Sequence, residues 1–224
     1  MEIKKVCSLI PSYNEAKTIG ELIRQLHELK ITSYVVDDGS TDETASIAQA
    51  AGAVVLKHKK NMGKGASLRQ GFSHVIKKGY DAVLVMDGDG QHKAADVSGF
   101  LSRMGETNAD IIIGNRMLNT ASMPKIRVAT NRFMSALVSW MAGADIPDSQ
   151  CGFRLIKRGV LEKVDLRSSN YEIESEFIIK AARLGFKIES VSVETVYEDE
   201  KSKINPFIDT LRFIRLLIRI AFQR

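Results

Sequence analysis

The chain contains little of what stabilises secreted or fibrous proteins. Its 224 residues include only two cysteines and four prolines, and its 16 glycines form no rich stretch. Collagen, a disulfide scaffold and an interdomain linker are therefore excluded, and the length fits a single domain. Cys7 and Cys151 lie far apart in sequence, which indicates neither a disulfide framework nor a zinc site and favours a reducing compartment.

Long hydrophobic runs are missing as well. No apolar stretch reaches roughly 18 residues, so we expect no membrane-spanning helix. The N-terminal residues lead directly into a short apolar run and lack the longer apolar core and cleavage site of a secretory signal. We therefore expect a cytoplasmic protein.

An excess of positive charge is absent from most of the chain. The formal net charge is +5, but residues 1–200 hold 26 basic and 26 acidic residues, whereas residues 201–224 hold six basic residues and one acid. The body is thus neutral and the C-terminal segment is basic. We expect no nucleic-acid partner, and an anionic partner only for the last residues.

Short β-branched runs alternate with segments of helical periodicity. Strands are predicted at Val6–Ile10, Tyr34–Asp37, Val54–Lys57, Ala82–Met86 and Ile111–Ile113, and helices at Thr18–Leu29, Asp42–Ala51, Gly65–Lys78 and Ala94–Met104. The alternation then weakens into helices at Lys125–Ala142 and near Ile173–Leu184, a loop at Asp148–Gly152 and a strand near Lys187–Val193. This pattern predicts an α/β fold with a Rossmann-like, mainly parallel sheet and helices on both faces.

Two aspartates follow the fourth predicted strand. Asp87 and Asp89 are separated by one glycine, at the strand end where such sheets bind ligands. Two converging carboxylates suit a hard divalent cation, Mg²⁺ or Mn²⁺, whose other positions suit diphosphate oxygens. The alternative is a polar Asp-Gly turn. Spacing excludes an EF-hand at Asp87, and it excludes a Walker A loop and a dinucleotide fingerprint around Gly63–Gly65.

Two further polar clusters lie where a predicted strand ends or a predicted helix begins. Asp37 or Asp38 could accept hydrogen bonds from a base or ribose, while a capping box of Ser40 with Glu43 is the ordinary helix-start interpretation of the same segment. Lys64, in a Gly-Lys-Gly loop before a helix, is suited to phosphate, with a plain helix-start loop as the alternative.

These clusters belong to six motifs whose order and spacing resemble glycosyltransferase family 2, in particular its dolichyl- and polyprenyl-phosphate sugar transferases. The resemblance runs from residue 6 to about residue 204 and implies a GT-A fold. The motifs are Ile10–Glu15, Val36–Asp42, Asn61–Gly65, Asp87–His92, Gly114–Arg116 and Gln150–Arg154.

The resemblance also implies roles for individual residues. The nucleotide sugar would be bound by Pro11, Tyr13, Glu15, Asp37 or Asp38, Lys64 and Asp87, and the metal by Asp87, Asp89 and Gln91. The acceptor would be bound by Arg116, Arg127, Glu174, Glu176 and Lys203. Of these residues Asp89, Arg116 and Arg127 would be catalytic, and Asp148 is a reserve general base for a hydroxyl acceptor.

Two positions depart from the family pattern. Tyr197 stands where many relatives have an arginine five residues before the pair that matches Ser202-Lys203, and Glu200 stands where a glycine is usual. One acceptor-phosphate contact is therefore not carried over, and the loop is expected to move differently.

The C-terminal residues form a predicted helix of their own. We divide the chain into a GT-A domain of residues 1–204 and a basic amphipathic helix of residues 205–224. Arg212, Arg215 and Arg219 share one stripe of this helix, and apolar side chains cover much of the rest: Phe207, Leu211, Phe213, Ile214, Leu217, Ile218, Ala221 and Phe222. The pattern predicts a helix in a membrane interface, with the protein peripheral on the inner face of the membrane. The alternatives are a helix docked on the body or on a second subunit of a homodimer.

The predicted function is metal-dependent, inverting transfer of a hexose from GDP-mannose or a UDP-sugar to a polyprenyl or dolichyl phosphate. Such an acceptor is already anionic at neutral pH, so it needs no strong general base. Three alternatives stay open: a family 2 transferase acting on a glycan or soluble hydroxyl, a nucleotidyltransferase that makes a sugar nucleotide, and a non-catalytic nucleotide-sugar binder.

Overall fold

Within residues 5–121, 123–194 and 206–222, which the computed structural model describes, seven strands form one sheet. They are β1 (Val6–Ser12), β2 (Thr32–Asp37), β3 (Val54–Lys57), β4 (Ala82–Val85), β5 (Ile111–Asn115), β6 (Arg154–Lys157) and β7 (Ile188–Ser192). Their order across the sheet is β3-β2-β1-β4-β6-β5-β7. Neighbouring strands are parallel except where β6 runs antiparallel to β4 and β5, so the predicted mainly parallel sheet is confirmed.

Eight α-helices accompany these strands in the described ranges. They are α1 (Ile19–Glu28), α2 (Thr44–Ala50), α3 (Lys64–Lys77), α4 (Val97–Thr107), α5 (Lys125–Ala142), α6 (Arg158–Lys163), α7 (Ile173–Arg183) and α8 (Pro206–Phe222). The bounds of α5 are those that periodicity predicts, and the other predicted helices begin and end within a few residues of their expected positions. No helix in this part of the chain is both long and apolar enough to span a membrane.

The central strands are apolar along their length because both faces of the sheet are covered. Successive side chains of a strand point to opposite faces, yet all four residues of β4 are buried, as are Ile111, Ile112 and Ile113 of β5. Among the helices, α1 buries four apolar residues that follow the spacing of one helix face: Ile19, Leu22, Ile23 and Leu26. The two cysteines lie in this core as free, buried thiols.

Strand β6 and helix α6 were not predicted from the sequence. β6 is only four residues long, and it begins with Arg154 and ends with Lys157. Only its two central residues, Leu155 and Ile156, are apolar and buried, so the strand has too short an apolar run to be predicted. Its position between β4 and β5 depends on pairing with strands far away in the sequence. Periodicity within four residues contains no such information.

One edge of the sheet collects the ends of five strands. In the register of the sheet, Ser12 at the end of β1 pairs with Asp37 at the end of β2. Arg154, the first residue of antiparallel β6, pairs with Val85 at the end of β4 and with Ile113 near the end of β5. The loops that follow β1, β2, β4 and β5, and the loop that precedes β6, therefore share this edge, as the topology rule predicts.

Helix α8 is packed against the body of the protein through one of its faces. Phe213, Leu216 and Ile220 are each at most 7% exposed and belong to the main hydrophobic core. Arg183 of α7 donates from Nη1 to the carbonyl oxygen of Ile220 at 3.0 Å. The inner face of α8 is therefore docked on the body, which was one of the alternatives for this helix.

Glu176, in the first turn of α7, is fully buried beneath α8. Its carboxylate accepts hydrogen bonds from the backbone N–H groups of Arg167 (3.1 Å) and Ser168 (2.8 Å), from Lys180 Nζ (2.7 Å) and from Arg219 Nη2 (3.2 Å). These contacts contradict the acceptor-binding role that the resemblance implies for Glu176. Residues i and i+2 of a helix do not share a face, so only one glutamate of the Glu-x-Glu motif can point to the ligand edge.

We expect Glu176→Gln to destabilise the protein by about 1–3 kcal/mol, because the change leaves Lys180 and Arg219 without their shared counter-charge. The free energy of unfolding in urea measures this loss. Glu162→Gln is the matched control, since Glu162 forms an exposed ion pair with Arg158 and should change stability by less than about 0.5 kcal/mol. Equal losses in the two variants would contradict the assignment.

The stabilisation by Glu176 should also depend on pH. Burial alone would raise the pKa of this carboxyl group, but hydrogen bonds and charge from Lys180 and Ser168 lower it below the ordinary value of 4.5. A group with a lowered folded-state pKa stabilises the fold above its unfolded pKa, and the effect is lost as the pH falls through the folded value. The difference between wild type and Glu176→Gln should therefore shrink below pH 4.5.

Candidate active site

The loop after β1 is fastened to the loop after β2 by backbone-directed hydrogen bonds. Asn14, at a positive φ of 54°, donates from its backbone N–H to Ser40 Oγ at 2.9 Å, and its Oδ1 accepts from the N–H of Thr41 at 2.9 Å. The next N–H, that of Glu15, donates to Thr44 Oγ1 at 2.8 Å. These contacts place Tyr13 and Glu15 at the ligand edge. Pro11 lies buried within the end of β1.

The same contacts overturn the capping-box interpretation of Ser40 and Glu43. α2 begins at Thr44, and Ser40 does not cap its N-terminus. The hydroxyl group of Ser40 instead accepts a hydrogen bond from the backbone N–H of Asn14. The side chain of Asp42 binds the start of α2 instead, because its Oδ1 accepts a hydrogen bond from the N–H of Thr44 at 3.0 Å. The Val36–Asp42 segment is therefore held by the loop after β1 as well as by the start of the helix that follows it.

Asp38 is committed to holding the loop that precedes α3. Its Oδ1 contacts His58 Nδ1 at 2.6 Å and accepts from the N–H of Met62 at 2.8 Å. Its Oδ2 accepts from the N–H of Gly63 at 2.8 Å. Because both oxygens bind within the protein, Asp38 organises this loop and is not the residue of the pair that is suited to a nucleoside.

Asp37 keeps one acceptor atom without a hydrogen bond in the described part of the chain. Its Oδ1 accepts from the N–H of Ser40 at 3.2 Å, whereas the buried Oδ2 has only the Lys57 ammonium nearby, at 3.8 Å. A buried carboxylate oxygen without a donor is costly. A hydroxyl or amide group of a ligand would remove that cost, so Asp37 is the better nucleoside candidate.

A chain of four alternating charges crosses the ligand edge and joins α3, the loop after β4, α7 and β6. Lys64 Nζ lies 2.5 Å from Asp87 Oδ1 and 2.8 Å from Glu174 Oε1. Glu174 Oε2 in turn lies 2.7 Å from Arg154 Nη1. We call these four residues the rim charge chain. It brings together Lys64, Asp87 and Glu174, three predicted site residues from distant parts of the sequence.

The rim charge chain keeps Lys64 and Asp87 ionised although both side chains are mostly enclosed. Burial alone would lower the pKa of Lys64, but the carboxylates of Asp87 and Glu174 outweigh it and raise that pKa above its ordinary value. Burial would likewise raise the pKa of Asp87, and the ammonium of Lys64 lowers it instead. Asp87 is therefore a carboxylate at neutral pH, the form that binds a cation.

Close contacts and hydrogen bonds surround the Asp-Gly-Asp motif. A Cβ atom on Gly88 would lie 2.6 Å from Ser12 Oγ, and one on Gly152 would lie 2.5 Å from Asp87 Oδ2, so a larger residue at either position would displace these side-chain groups. Thr18 Oγ1 donates to the carbonyl oxygen of Gly88 at 2.6 Å. Asp89 Oδ1 accepts from the N–H of Gln91 at 3.0 Å.

These residues fit a hard divalent cation with an open coordination shell. Within the residues that the structure describes, no three His, Cys, Asp or Glu side chains group together as a closed metal site. Asp87, Asp89 and the amide of Gln91 supply oxygen ligands of the kind that Mg²⁺ and Mn²⁺ prefer. So few protein ligands leave coordination positions for diphosphate oxygens.

Arg116 and Asp148 form a second, bidentate ion pair at the edge. Arg116 donates from Nε to Asp148 Oδ2 at 2.8 Å, from Nη2 to Oδ1 at 2.9 Å and from its backbone N–H to Oδ2 at 3.1 Å. The N–H of Gln150 also donates to Asp148 Oδ1, at 3.2 Å. Asp148 is fully buried and each oxygen already accepts twice, which contradicts its reserve role as a general base. It instead orients Arg116.

Two side chains that received no role from the sequence lie at this edge. Arg154 is 2% exposed and donates to the carbonyl oxygens of Ser149 and Cys151, both at 3.0 Å, which holds the loop before β6. His92 is buried against Phe153, with ring centroids 5.0 Å apart. Burial lowers the pKa of His92 to about 4, so its ring is neutral at neutral pH. Both residues belong to motifs that resemble the family, and this membership was the sequence signal that could have identified them as site residues.

Two further residues with a predicted acceptor-binding role are Arg127 and Lys203. Arg127 lies in the first turn of α5 and is partly exposed. Lys203, Tyr197 and Glu200 lie outside the described residues.

The chain is similar to the proteins of one glycosyltransferase family. The family model for glycosyl transferase family 2 matches residues 7–165 of the chain. The chain is 31% identical to glycosyltransferase AglJ of Haloferax volcanii, over 92% of this chain and 67% of the relative. It is 28% identical to polyprenol monophosphomannose synthase of Mycolicibacterium smegmatis, over 83% and 75% of the two chains. It is 26% identical to UDP-N-acetylglucosamine–dolichyl-phosphate N-acetylglucosaminyltransferase of Methanococcus voltae, over 97% of both.

The fold is also found among solved structures. Glucosyl-3-phosphoglycerate synthase from Mycobacterium tuberculosis, in complex with uridine diphosphate, matches with a TM-score of 0.78 at 20% identity and covers 97% of this chain and 80% of that one. Together with the family match, this likeness confirms the GT-A fold that the six motifs imply.

We expect Lys64→Gln to destabilise the protein by about 3 kcal/mol, because Asp87 and Glu174 then face each other without the cation between them. Added Mn²⁺ should raise the melting temperature of this variant more than that of the wild type, since the ion supplies a positive charge to Asp87. Thermal unfolding with and without MnCl₂ measures both effects. Lys57→Gln is the control, because Lys57 is largely exposed and only 3.8 Å from Asp37. The same Mn²⁺ response in all three proteins would count against a cation at Asp87.

Proposed function

The chain belongs to glycosyltransferase family 2, and on that premise we propose that it transfers a hexose from a nucleotide diphosphate sugar to a polyprenyl or dolichyl phosphate, with inversion at the sugar carbon. The observation that carries the proposal is the likeness, over 97% of both chains, to a transferase named for a dolichyl-phosphate acceptor. The relatives from Methanococcus voltae and Mycolicibacterium smegmatis are named for different sugars, but both names give a polyprenol-type acceptor. We therefore leave the donor as GDP-mannose or a UDP-sugar.

On the donor side, the proposed contacts follow the loops of the ligand edge. Pro11, Tyr13 and Glu15 lie beside the nucleoside, and Asp37 accepts a hydrogen bond from it. Asp87, Asp89 and Gln91 hold Mg²⁺ or Mn²⁺, which, when bound, stabilises the charge that develops on the departing nucleoside diphosphate. Lys64, whose Nζ lies 2.5 Å from Asp87 Oδ1, adds a second positive charge for the diphosphate oxygens.

On the acceptor side, Arg116 and Arg127 hold the lipid phosphate in line with the sugar. Asp148 fixes the guanidinium of Arg116 through two side-chain hydrogen bonds, so that little conformational freedom is lost when the acceptor binds. Glu174 lies beside Lys64 and Arg154, near the point where sugar and acceptor would meet. No proton has to be removed from an acceptor phosphate at neutral pH, which agrees with the absence of a role for Asp148 as a base.

We further propose that the protein works at the inner face of the cytoplasmic membrane, where a lipid phosphate is found. The outer face of α8 supports this location, because Leu211, Ile214 and Ile218 are 44%, 46% and 53% exposed while the inner face is docked. Arg215 is exposed on the same side. Apolar residues beside arginines are typical of a helix at a lipid headgroup surface.

We expect Asp89→Asn to lower turnover by about a hundredfold or more, because it removes a charged metal ligand. The fold should survive, since the asparagine side-chain oxygen can still accept from the N–H of Gln91. Transfer of radiolabelled sugar to a short-chain polyprenyl phosphate in the presence of Mn²⁺ measures the effect. Asp165→Asn is the control because Asp165 is an exposed aspartate that forms an ion pair with Arg167. Full wild-type activity in excess EDTA would rule out the metal.

We expect Arg127→Ala to weaken use of the acceptor and to leave donor binding nearly unchanged. Loss of a charged hydrogen bond to phosphate costs about 1.5–3 kcal/mol, so kcat/KM for the polyprenyl phosphate should fall roughly tenfold to a hundredfold. Arg132→Ala, five residues further along α5 and exposed, is the matched control. Isothermal titration with the nucleotide sugar completes the test, because a comparable loss of donor affinity would move Arg127 to the donor site.

A further inference from the structure

Helix α5 carries a line of large apolar side chains that face away from the body. Ile126, Phe133 and Trp140 are 77%, 69% and 79% exposed, and they recur every seven residues, which places them along one side of a helix. Ala129 and Ala136, between them on the same line, are also exposed. We call these five residues the α5 stripe.

The other side of α5 packs against the body of the protein. The residues that α5 buries are Asn131, Ser135, Val138, Met141 and Ala142. Ser135 Oγ accepts from the N–H of Ser149 at 2.9 Å, which ties the helix to the loop before β6. The α5 stripe is therefore not a misplaced core face, because the core face of this helix is already occupied. Single exposed apolar residues are ordinary, but an aligned set including two aromatic residues indicates a contact surface.

The charges of α5 decide between two occupants of the stripe. The helix contains Lys125, Arg127 and Arg132 and no acidic residue over its 18 positions. Lys125 and Arg132 are exposed and precede Ile126 and Phe133 by one residue. Pairing of two copies through this helix would bring like charges together, whereas an anionic lipid surface complements them. Tryptophan near one end and lysine at the other are also typical of residues at a membrane interface.

The stripe lies on a helix that is connected to both α8 and the acceptor side of the site. Arg183 of α7 donates from Nε to the carbonyl oxygen of Met141 and from Nη1 to that of Ile220, each at 3.0 Å, so the C-terminal ends of α5 and α8 lie close together. The first turn of α5 carries Arg127, the proposed ligand of the acceptor phosphate. A bilayer in contact with α5 would therefore approach the acceptor residues of the site.

We propose that α5 is a membrane-docking helix, which lies in the headgroup region of an anionic bilayer with Ile126, Phe133 and Trp140 inserted between the lipids. The inference deepens the proposed function, because it specifies the surface through which a lipid-linked acceptor would be met. It goes beyond the basic C-terminal helix, since the deepest contact is assigned to a helix within the catalytic domain.

Trp140 provides a direct probe of this contact, because it is the only tryptophan of the chain. Vesicles of phosphatidylcholine with phosphatidylglycerol should shift its fluorescence to shorter wavelength, and brominated acyl chains should quench it. Vesicles of phosphatidylcholine alone should give a smaller effect, and added salt should weaken binding to the anionic vesicles without abolishing it. An unchanged spectrum with saturating anionic vesicles would overturn the proposal.

A pair of substitutions separates the stripe from other exposed apolar residues. Phe133→Glu should weaken binding to the anionic vesicles by about tenfold or more, because a buried phenylalanine is replaced by a charge that the lipids repel. Leu29→Glu is the control, since Leu29 is a 47% exposed residue at the end of α1. Equal vesicle affinity of the two variants would overturn the assignment. A Trp140 shift that grows with protein concentration without lipid would assign the stripe to a second copy and overturn it as well.

The test is independent of the catalytic proposal. Phe133→Glu and wild type should transfer sugar equally well to a short, water-soluble polyprenyl phosphate, and they should differ when a long-chain acceptor is embedded in vesicles. Failure of both proteins on the soluble acceptor would contradict the proposed function and leave the vesicle-binding result standing. An equal rate for both proteins on the embedded acceptor would contradict the membrane-docking role of α5.

Discussion

The ligand edge of this protein depends on one interaction, the ammonium of Lys64 held between the carboxylates of Asp87 and Glu174. Arg154 balances the far side of Glu174, so every charge in the chain has an opposite neighbour. Such a chain is stable only when complete, because removal of one member leaves a buried charge unpaired. It links α3, the loop after β4, α7 and β6, and it thereby fixes where a cation and a diphosphate can bind.

The second ion pair serves the other half of the site. Asp148 holds Arg116 with a bidentate contact, while the rim charge chain holds Lys64 close by in the same edge of the sheet. The proposed reaction brings together two anionic groups, a sugar diphosphate and a lipid phosphate, which repel each other in water. Positioned cations in a partly enclosed site offset that repulsion without reorganisation during the reaction. In the proposed function, Lys64 and Arg116 are the cations that face these two phosphates.

Much of this arrangement could be predicted from local sequence, because runs such as Ala82–Met86 and the strand-end rule act over a few residues. Long-range pairings could not. The ion pair of Lys64 with Asp87 joins segments that periodicity treats separately, and β6 is too short to carry a pattern. The Glu-x-Glu motif did not tell which glutamate faces the site, because that depends on the rotation of α7 against α8. Likewise, α5 is apolar on two sides, so its sequence did not reveal that Trp140 points outward.

The central claim is that a sugar is transferred to a polyprenyl phosphate, and product analysis tests it most directly. The protein should be incubated with Mn²⁺, a short-chain polyprenyl phosphate and, in turn, UDP-sugars and GDP-mannose, and both products should be identified by mass spectrometry. We predict a glycosyl phosphoprenol of inverted anomeric configuration together with free nucleoside diphosphate, in equal amounts. Release of pyrophosphate, or sugar found only on a hydroxyl acceptor, would contradict the account.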